Sequence, residues 1–534
     1  MSKIYFKKPL RRWLFGGIGF HNSEATMTPM MSEKFKNERV LKCFREISPT
    51  FSRVFAGYAD WTREAMDRFA DYYDETFRKA GTLIYMVPGR MPIPRDDFDI
   101  EDYCERTARN LEYLIKERHC TKLRYFCVTN ELSAGNTYAY LANKLELFAK
   151  LHDGLYRAFE RHGLDISLLA TDCSGEDNFP QIEWAAKNID EITGDYCAHL
   201  YLQKYQPADK EVYEYCKGHF EELVRVAKRQ QKRFILGEFG IKKAGWWIND
   251  YPMKDDVSYG VNCPEEEELF ALAIAEMSLS VINSGTFAGV YWTLFDYPDP
   301  FIREDGDTPE EKAKYDVARF SGHGVSIRYN KNGLVKWCDD EGDYSAYTPL
   351  YTMGYMAKFF KKGSRVLEVS GDDELIRAAA VTNADGSVSV CIINRNTEKT
   401  TVDIELEHKC DKPLRRYDFS VDMPYENEFC DLQPYSELIE CDGRMSIELE
   451  PMSVTFLSTD YQNRVPSAVV GVTRRGTRLT WGACEDAEHC YYRVFKDKKQ
   501  IASTVATELL VDGGAAKYSV ISVDKYGNAG EIDL

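Results

Sequence analysis

Two glutamates close two apolar runs in this chain. Glu131 follows Phe126-Cys127-Val128-Thr129-Asn130, and Glu238 follows Phe234-Ile235-Leu236-Gly237. An apolar strand that stops on a carboxylate carries an acid from a core to its rim. Two such acids, brought face to face, are what cleavage of a glycosidic bond needs: one protonates the leaving oxygen and the other attacks or activates water. One such glutamate would mean little, because strands often end on charged residues where they meet water. The pair acquires meaning from the elements that would bring it together.

Strand-like and helix-like stretches alternate eight times between residues 13 and 360. The strand runs are Trp13–Phe20, Phe51–Ala56, Thr82–Val87, Leu123–Thr129, Ile166–Thr171, Asp195–Leu200, Phe234–Gly237 and Ala288–Leu294. They are near-continuously apolar, as strands buried on both faces are. Between them apolar residues recur at spacings of three and four. Leu141, Leu145, Phe148, Leu151, Leu155 and Phe159 mark one such helical face. Pro349 and Gly363 bracket a last helix over Leu350–Phe360. Eight units of this kind predict an α/β fold, a (β/α)8 TIM barrel over residues 1–362. A doubly wound open sheet is the competing topology, but it carries a glycine-rich turn after its first strand. Here Gly16, Gly17 and Gly19 lie within the strand itself. In a barrel, the ends of strands four and seven share the C-terminal rim, where active sites sit.

After Gly363 the pattern changes to short alternating strands, with Asn383-Ala384-Asp385-Gly386 as a hairpin turn. Residues 363–460 read as an all-β sandwich expected to pack on the barrel. A third unit, residues 461–534, carries Leu479-Thr480-Trp481, Tyr492-Arg493-Val494 and Tyr518–Val523. It resembles a fibronectin type III domain, with its own small core around Trp481 and Tyr492, and is expected to be separable from the chemistry, so that truncation after Asp460 leaves soluble protein.

At 534 residues the chain exceeds what one hydrophobic core serves, in keeping with several domains. A net charge of −18 disfavours nucleic acid and anionic membrane surfaces as partners. No apolar run is long enough to span a bilayer, and Met1 to Leu10 lacks the apolar run of a secretory signal. The 15 cysteines are scattered, with no CxxC pair and no zinc spacing. Reduced thiols and a cytoplasmic location are the simplest expectation. No residue set calls for a metal or another cofactor.

The placement of these residues resembles glycoside hydrolase clan A, a group of retaining (β/α)8-barrel glycosidases. The clan places its acid/base after an asparagine at the end of strand four, matched by Asn130-Glu131, and its nucleophile at the end of strand seven, matched by Glu238 in Gly237-Glu238-Phe239-Gly240. An arginine near the end of strand two matches Arg53. A histidine or tyrosine ending strand six matches His199-Leu200-Tyr201, and a tryptophan ending strand eight matches Trp292. The resemblance implies a carbohydrate substrate, with Glu131 as acid/base and Glu238 as nucleophile held ionised by Arg53. Asn130 would contact the sugar 2-hydroxyl, and Trp292 would lie under the reacting sugar. His21, Glu24, Asp172 and Asp296 also fall near predicted strand ends and read as supporting or substrate-contact groups. Trp246 and Trp247, just beyond the nucleophile, are either a sugar platform or loop packing. The segment Asn130-Glu131-Leu132-Ser133 lacks the proline of some members, so the resemblance is to the clan and not to one of its families.

Two other classes of function stay open at this level. One is a barrel without catalysis that binds glycans or proteins through its β-domains. The other is a metal-dependent lyase or isomerase on the same fold, which would need converging carboxylates or histidines around a divalent ion.

Overall fold

The computed structural model describes residues 2–8, 14–26, 28–56, 61–88, 98–133, 144–203, 206–242, 259–260, 267–301, 326–331, 333–338, 342–407, 409–423, 425 and 428–530. Eight parallel strands close into a barrel: Gly17–His21, Phe51–Phe55, Leu83–Val87, Leu123–Phe126, Ser167–Ser174, Asp195–Gln203, Phe234–Lys242 and Ala288–Tyr291. We call them barrel strands one to eight. Strand eight pairs back onto strand one, with Val290 opposite Gly19, and this closes the sheet.

Side-chain alternation explains the apolar runs. Tyr85, Val87, Leu169, Cys197 and Ile235 point into the barrel and form its inner core. Their neighbours Ile84, Met86, Leu168, Ala198 and Leu236 point outward against the helices. Strands one and two cross so closely that a Cβ on Gly19 would lie 1.7 Å from the Phe51 carbonyl oxygen. The surrounding helices start on polar caps. Thr62 accepts from the Ala65 amide at the head of Arg63–Glu75, and Asp99 accepts from the Asp102 amide at the head of Ile100–Glu112.

The strand ends differ from the sequence expectation in ways that matter for the site. Strand one begins at Gly17, and Trp13, the expected start, lies outside the described residues. Strands five, six and seven run on to Ser174, Gln203 and Lys242. Glu238 is therefore not the end of strand seven but its middle, opposite His199 of strand six. The strand continues because Phe239 and Ile241 keep packing outward while Glu238 faces the barrel mouth. Strand four is shorter than expected, ending at Phe126, and the following segment carries Glu131 at a left-handed φ of 55°.

The region after the barrel holds a six-stranded sheet and a four-stranded sheet that enclose a second core. In the six-stranded sheet, Ala378, Ala380, Val390 and Ile392 face this core, while Ala379, Val381, Cys391 and Ile393 face the barrel. Burial on both faces accounts for the unbroken apolarity of Ile376–Thr382 and Val388–Asn394. The four-stranded sheet includes Ser2–Lys7, which pairs in parallel with Thr400–Leu406 and antiparallel with Glu368–Gly371. The span 1–362 thus contains a strand that belongs to the later sheets. Its alternation, with Ile4 and Phe6 buried between exposed Lys3, Tyr5 and Lys7, is that of a half-buried strand.

The last unit is a pair of three-stranded sheets around Leu479, Trp481, Tyr492, Val494 and Val520. It is docked on the rest of the chain by buried charge, which its own small core does not announce. Lys42, on the helix Leu41–Ile47, is fully buried and donates to Glu46 at 2.5 Å and to the Cys430 carbonyl at 2.6 Å, with Asp431 2.9 Å away. Asp431 also accepts from Arg493, Gln500 and Ser503 of the last unit at 2.9–3.0 Å. One ionic cluster therefore joins all three parts of the chain. No disulfide joins the cysteines among the described residues, and no helix among them is long and apolar enough to cross a membrane.

Candidate active site

The site is built from polar side chains that the barrel strands, and the segment after strand four, turn inward. Arg53 on strand two is fully buried and forks between three oxygen-bearing partners, with the His21 ring as a fourth. Nη1 donates to Glu238 Oε1 at 2.5 Å, and Nη2 donates to Asn130 Oδ1 at 2.6 Å and Asp172 Oδ2 at 2.8 Å. Its neighbour in strand three, Tyr85, donates to Asp172 Oδ1 at 2.6 Å. Tyr201, two residues beyond His199 on strand six, donates its hydroxyl to Glu238 Oε2. Both Glu238 oxygens are therefore engaged by donors, which fix the orientation of the carboxylate.

His199 stands between the carboxylates. Its Nε2 lies 2.8 Å from Asp172 Oδ1, and its Nδ1 lies 3.1 Å from Glu131 Oε1 and 3.4 Å from Glu238 Oε2. Burial alone would lower its pKa, but Asp172 and Glu238, with hydrogen bonds to Asp172 and Glu131, push it up to about 9. Burial likewise opposes the charge on Asp172, yet His199 and Arg53 hold its carboxyl well below the usual range. Burial, with the Glu238 and Glu131 carboxylates beside it, pushes the Tyr201 phenol up and keeps it protonated as a donor.

The sequence-predicted residues converge. Glu131 and Glu238, from opposite parts of the rim, bring carboxylate oxygens within 4.8 Å of each other and of a His199 nitrogen. Three donors at that spacing could hold a cation. Here the Arg53 guanidinium already supplies the positive charge to Glu238, and His199 is committed on both sides to carboxylates. The trio therefore suits proton transfer better than metal binding. His21, Phe55 and Trp292 form an aromatic wall, with the His21 ring 4.4 Å from Phe55 and 4.3 Å from Trp292. Burial, with Arg53 and His199 alongside, lowers the His21 pKa and keeps it neutral. Its Nδ1, 3.2 Å from Arg53 Nη1, must be an acceptor, so the proton sits on Nε2. Trp246 and Trp247 lie outside the described residues.

Of the supporting candidates, Asp172 is in the site, whereas Glu24 lies one layer behind it. Glu24 accepts from Asn22 at 2.5 Å, and Asn22 in turn accepts from Ser52, the residue before Arg53. Asp296 accepts from the Gly333 amide at 2.8 Å and from Tyr347, which braces the segments beyond strand eight. Sequence reasoning does not single out Tyr85. The available signal was a hydroxyl at an inward position of an apolar strand, level with Arg53.

No family model matches the sequence, and no curated protein matches it. Solved structures do. The catalytic domain of the GH30 xylanase C from Talaromyces cellulolyticus aligns with 86% of this chain and all of its own, at 14% identity and a TM-score of 0.55. The α-L-arabinofuranosidase from Thermotoga maritima aligns with 86% of this chain and all of its own, at 12% identity and a TM-score of 0.56. The bacterial orthologue of human α-L-iduronidase aligns with 99% of this chain and 98% of its own, at 13% identity and a TM-score of 0.56. That last match extends over the all-β units as well as the barrel. At these identities the shared property is the fold: a (β/α)8 barrel with attached all-β units, the architecture of known glycoside hydrolases.

Proposed function

We propose that the protein is a retaining glycoside hydrolase of clan A that cleaves oligo- or polysaccharides by double displacement. The observation that carries this reading is the approach of the Glu131 and Glu238 carboxylates to within 4.8 Å at the barrel mouth. Retaining enzymes hold their carboxyl groups about 5–5.5 Å apart, while inverting enzymes leave about 6.5–9.5 Å for a water. A separation below the inverting range supports the retaining reading.

In the first step Glu238 attacks the anomeric carbon. The glycosidic C–O bond breaks, and the departing oxygen takes its proton from Glu131. In the second step Glu131 removes a proton from water, which attacks the same carbon and releases Glu238 as carboxylate. Arg53 and Tyr201 keep Glu238 aimed before attack, and stabilise it as leaving group afterwards. Asn130, with its carbonyl oxygen held by Arg53, keeps its amide N–H groups for the sugar 2-hydroxyl. Trp292 offers an apolar face to the sugar, and the His21 Nε2–H is a donor for a substrate hydroxyl.

The sugar is sought among those named by the fold neighbours. Aryl β-xylosides, α-L-arabinofuranosides and α-L-iduronides form the first panel, followed by other aryl β-glycosides. NMR of the initial product should show retained anomeric configuration. A 2-fluoro glycoside of the accepted sugar should leave a mass adduct on Glu238. Inverted product, or an adduct on another carboxylate, sinks the assignment.

A further inference from the structure

Two β-bulges face each other across strand six. In strand five, Thr171 pairs with Cys197 and Cys173 with Ala198, so Asp172 is the extra residue between them. In strand seven, Leu236 pairs with Ala198 and Glu238 with His199, so Gly237 is the extra residue there. Bulges re-aim side chains next to functional sites. Here Asp172 takes a left-handed φ of 58° and turns its fully buried carboxylate toward the His199 ring. Gly237 comes up on the other side. A Cβ on it would lie 2.9 Å from Asp172 Oδ1 and 3.1 Å from His199 Nε2, the two atoms of the Asp172–His199 hydrogen bond. The absence of a side chain at 237 is what leaves room for that bond.

Asp172 has no proton to give. Oδ2 accepts from Arg53 at 2.8 Å, and Oδ1 accepts from Tyr85 at 2.6 Å and faces His199 Nε2 at 2.8 Å. An ionised carboxylate only accepts, so the proton in the last contact belongs to Nε2. With Nε2 committed, Nδ1 is left facing Glu131 Oε1 at 3.1 Å. A nitrogen and an oxygen at that distance hold one proton between them. Either an imidazolium donates to the Glu131 carboxylate, or a protonated Glu131 donates to Nδ1. Glu238 is the poorer holder, because Arg53 and Tyr201 already donate to its two oxygens.

We propose that Asp172 is a positioning residue that pins the Nε2 proton of His199, so that Nδ1 and Glu131 share the single proton spent on the leaving group. The proposal rests on the glycosidase reading of the site. The groups that face His199 are Asp172 from strand five, Glu131 beyond strand four, Glu238 from strand seven, and the Arg53 and His21 side chains from strands two and one. The two anions Asp172 and Glu238 outweigh burial and retain the shared proton through neutral pH. The alkaline limb of the rate profile therefore reports the His199–Glu131 pair, not Glu131 alone.

The experiment combines ¹⁵N-histidine NMR of the intact protein with pH profiles of kcat/KM on the best aryl glycoside. In the wild type the His199 ring should carry its proton on Nε2 throughout, with only Nδ1 titrating. Asp172→Asn removes the anion at nearly constant volume. It should move both the His199 titration and the alkaline limb of kcat/KM down by about one pH unit or more. Gly237→Ala keeps every ionisable group but pushes the Asp172–His199 contact apart, and it should shift both in the same direction. A merely structural role for Asp172 would lower the plateau and leave both midpoints in place, which overturns the proposal. So does a ring whose only proton is on Nδ1. Should no glycoside be cleaved, the glycosidase reading fails, and the NMR titration of wild type and Asp172→Asn alone decides the Asp172 assignment.

Discussion

Arg53 and Glu238 meet across the barrel, Nη1 to Oε1 at 2.5 Å, with the guanidinium fully buried. The same guanidinium reaches Asn130 and Asp172 through its other nitrogen. A planar fork can serve three partners at fixed angles, whereas an ammonium is a point charge. Arg53→Lys should therefore keep the fold but lose about 10²–10³-fold in kcat/KM on an activated aryl glycoside. Arg53→Met strands Glu238 and Asp172 as buried anions and should cost on the order of 3–5 kcal/mol of stability. Steady-state kinetics and thermal melts of the two variants separate these effects. An Arg53→Lys enzyme with unchanged kinetics would remove the fork from the mechanism.

Glu131→Ala should slow glycosides with poor leaving groups far more than activated aryl glycosides, because only the former need protonation. Azide should restore turnover of the activated substrate and yield a glycosyl azide of retained configuration, since an anion needs no general base. Equal losses on both substrates, with no effect of azide, would take Glu131 out of the acid/base role.

The last unit should not be dispensable for stability. Removal of residues 461–534 deprives Asp431 of Arg493, Gln500 and Ser503, and takes away the Tyr491 ring that covers Lys42 Nζ at 4.7 Å. It also removes the Tyr526 carbonyl and Asn528 side chain that accept from Arg415 at 3.0 and 2.7 Å. Truncation after Asp460 should lower the Tm or cause aggregation. Arg493→Ala, which breaks one side of the cluster, should lower the Tm on the order of 5 °C or more. A truncated protein that melts like the full chain would show that the docking contributes nothing.

Glu24 should make stability pH-dependent. It is buried, Oε1 accepts from Tyr72 at 2.8 Å and Asn22 at 2.5 Å, and Oε2 has no partner among the described residues. Burial pushes its pKa up to about 7, only partly offset by the Tyr72 and Asn22 hydrogen bonds. A carboxyl whose folded pKa is raised contributes stability that is complete below its unfolded pKa and is lost as pH rises through the folded one. Relative to Glu24→Gln, the wild type should thus lose up to about 3 kcal/mol between pH 4.5 and 7. Thermal melts of both proteins at pH 5 and pH 8 measure the difference, and parallel melting curves across that range would refute it.

The sequence by itself determined the barrel and most of the candidate site at its rim. Apolar runs with intervening helical spacing are a local property, set by which faces each segment must bury, and they survive without knowledge of the partners. Glu131 and Glu238 were legible as carboxylates that close such runs, and Arg53, His199, Tyr201 and Trp292 through the resemblance of their placement to clan A. The tertiary structure alone decided what these residues bind. Asp172 and Gly237 owe their places to bulges, and one extra residue in a strand leaves no periodic mark in the sequence. Lys42 and Glu46 are an i,i+4 pair on one helix, and nothing local to that helix reveals that Asp431 and Tyr491 arrive from other units to meet them. Ser2–Lys7 alternates like a strand, yet its neighbours, Thr400–Leu406 and Glu368–Gly371, lie in a different unit of the chain. Local periodicity specifies what an element is; only the packing of distant surfaces against one another specifies which element it meets.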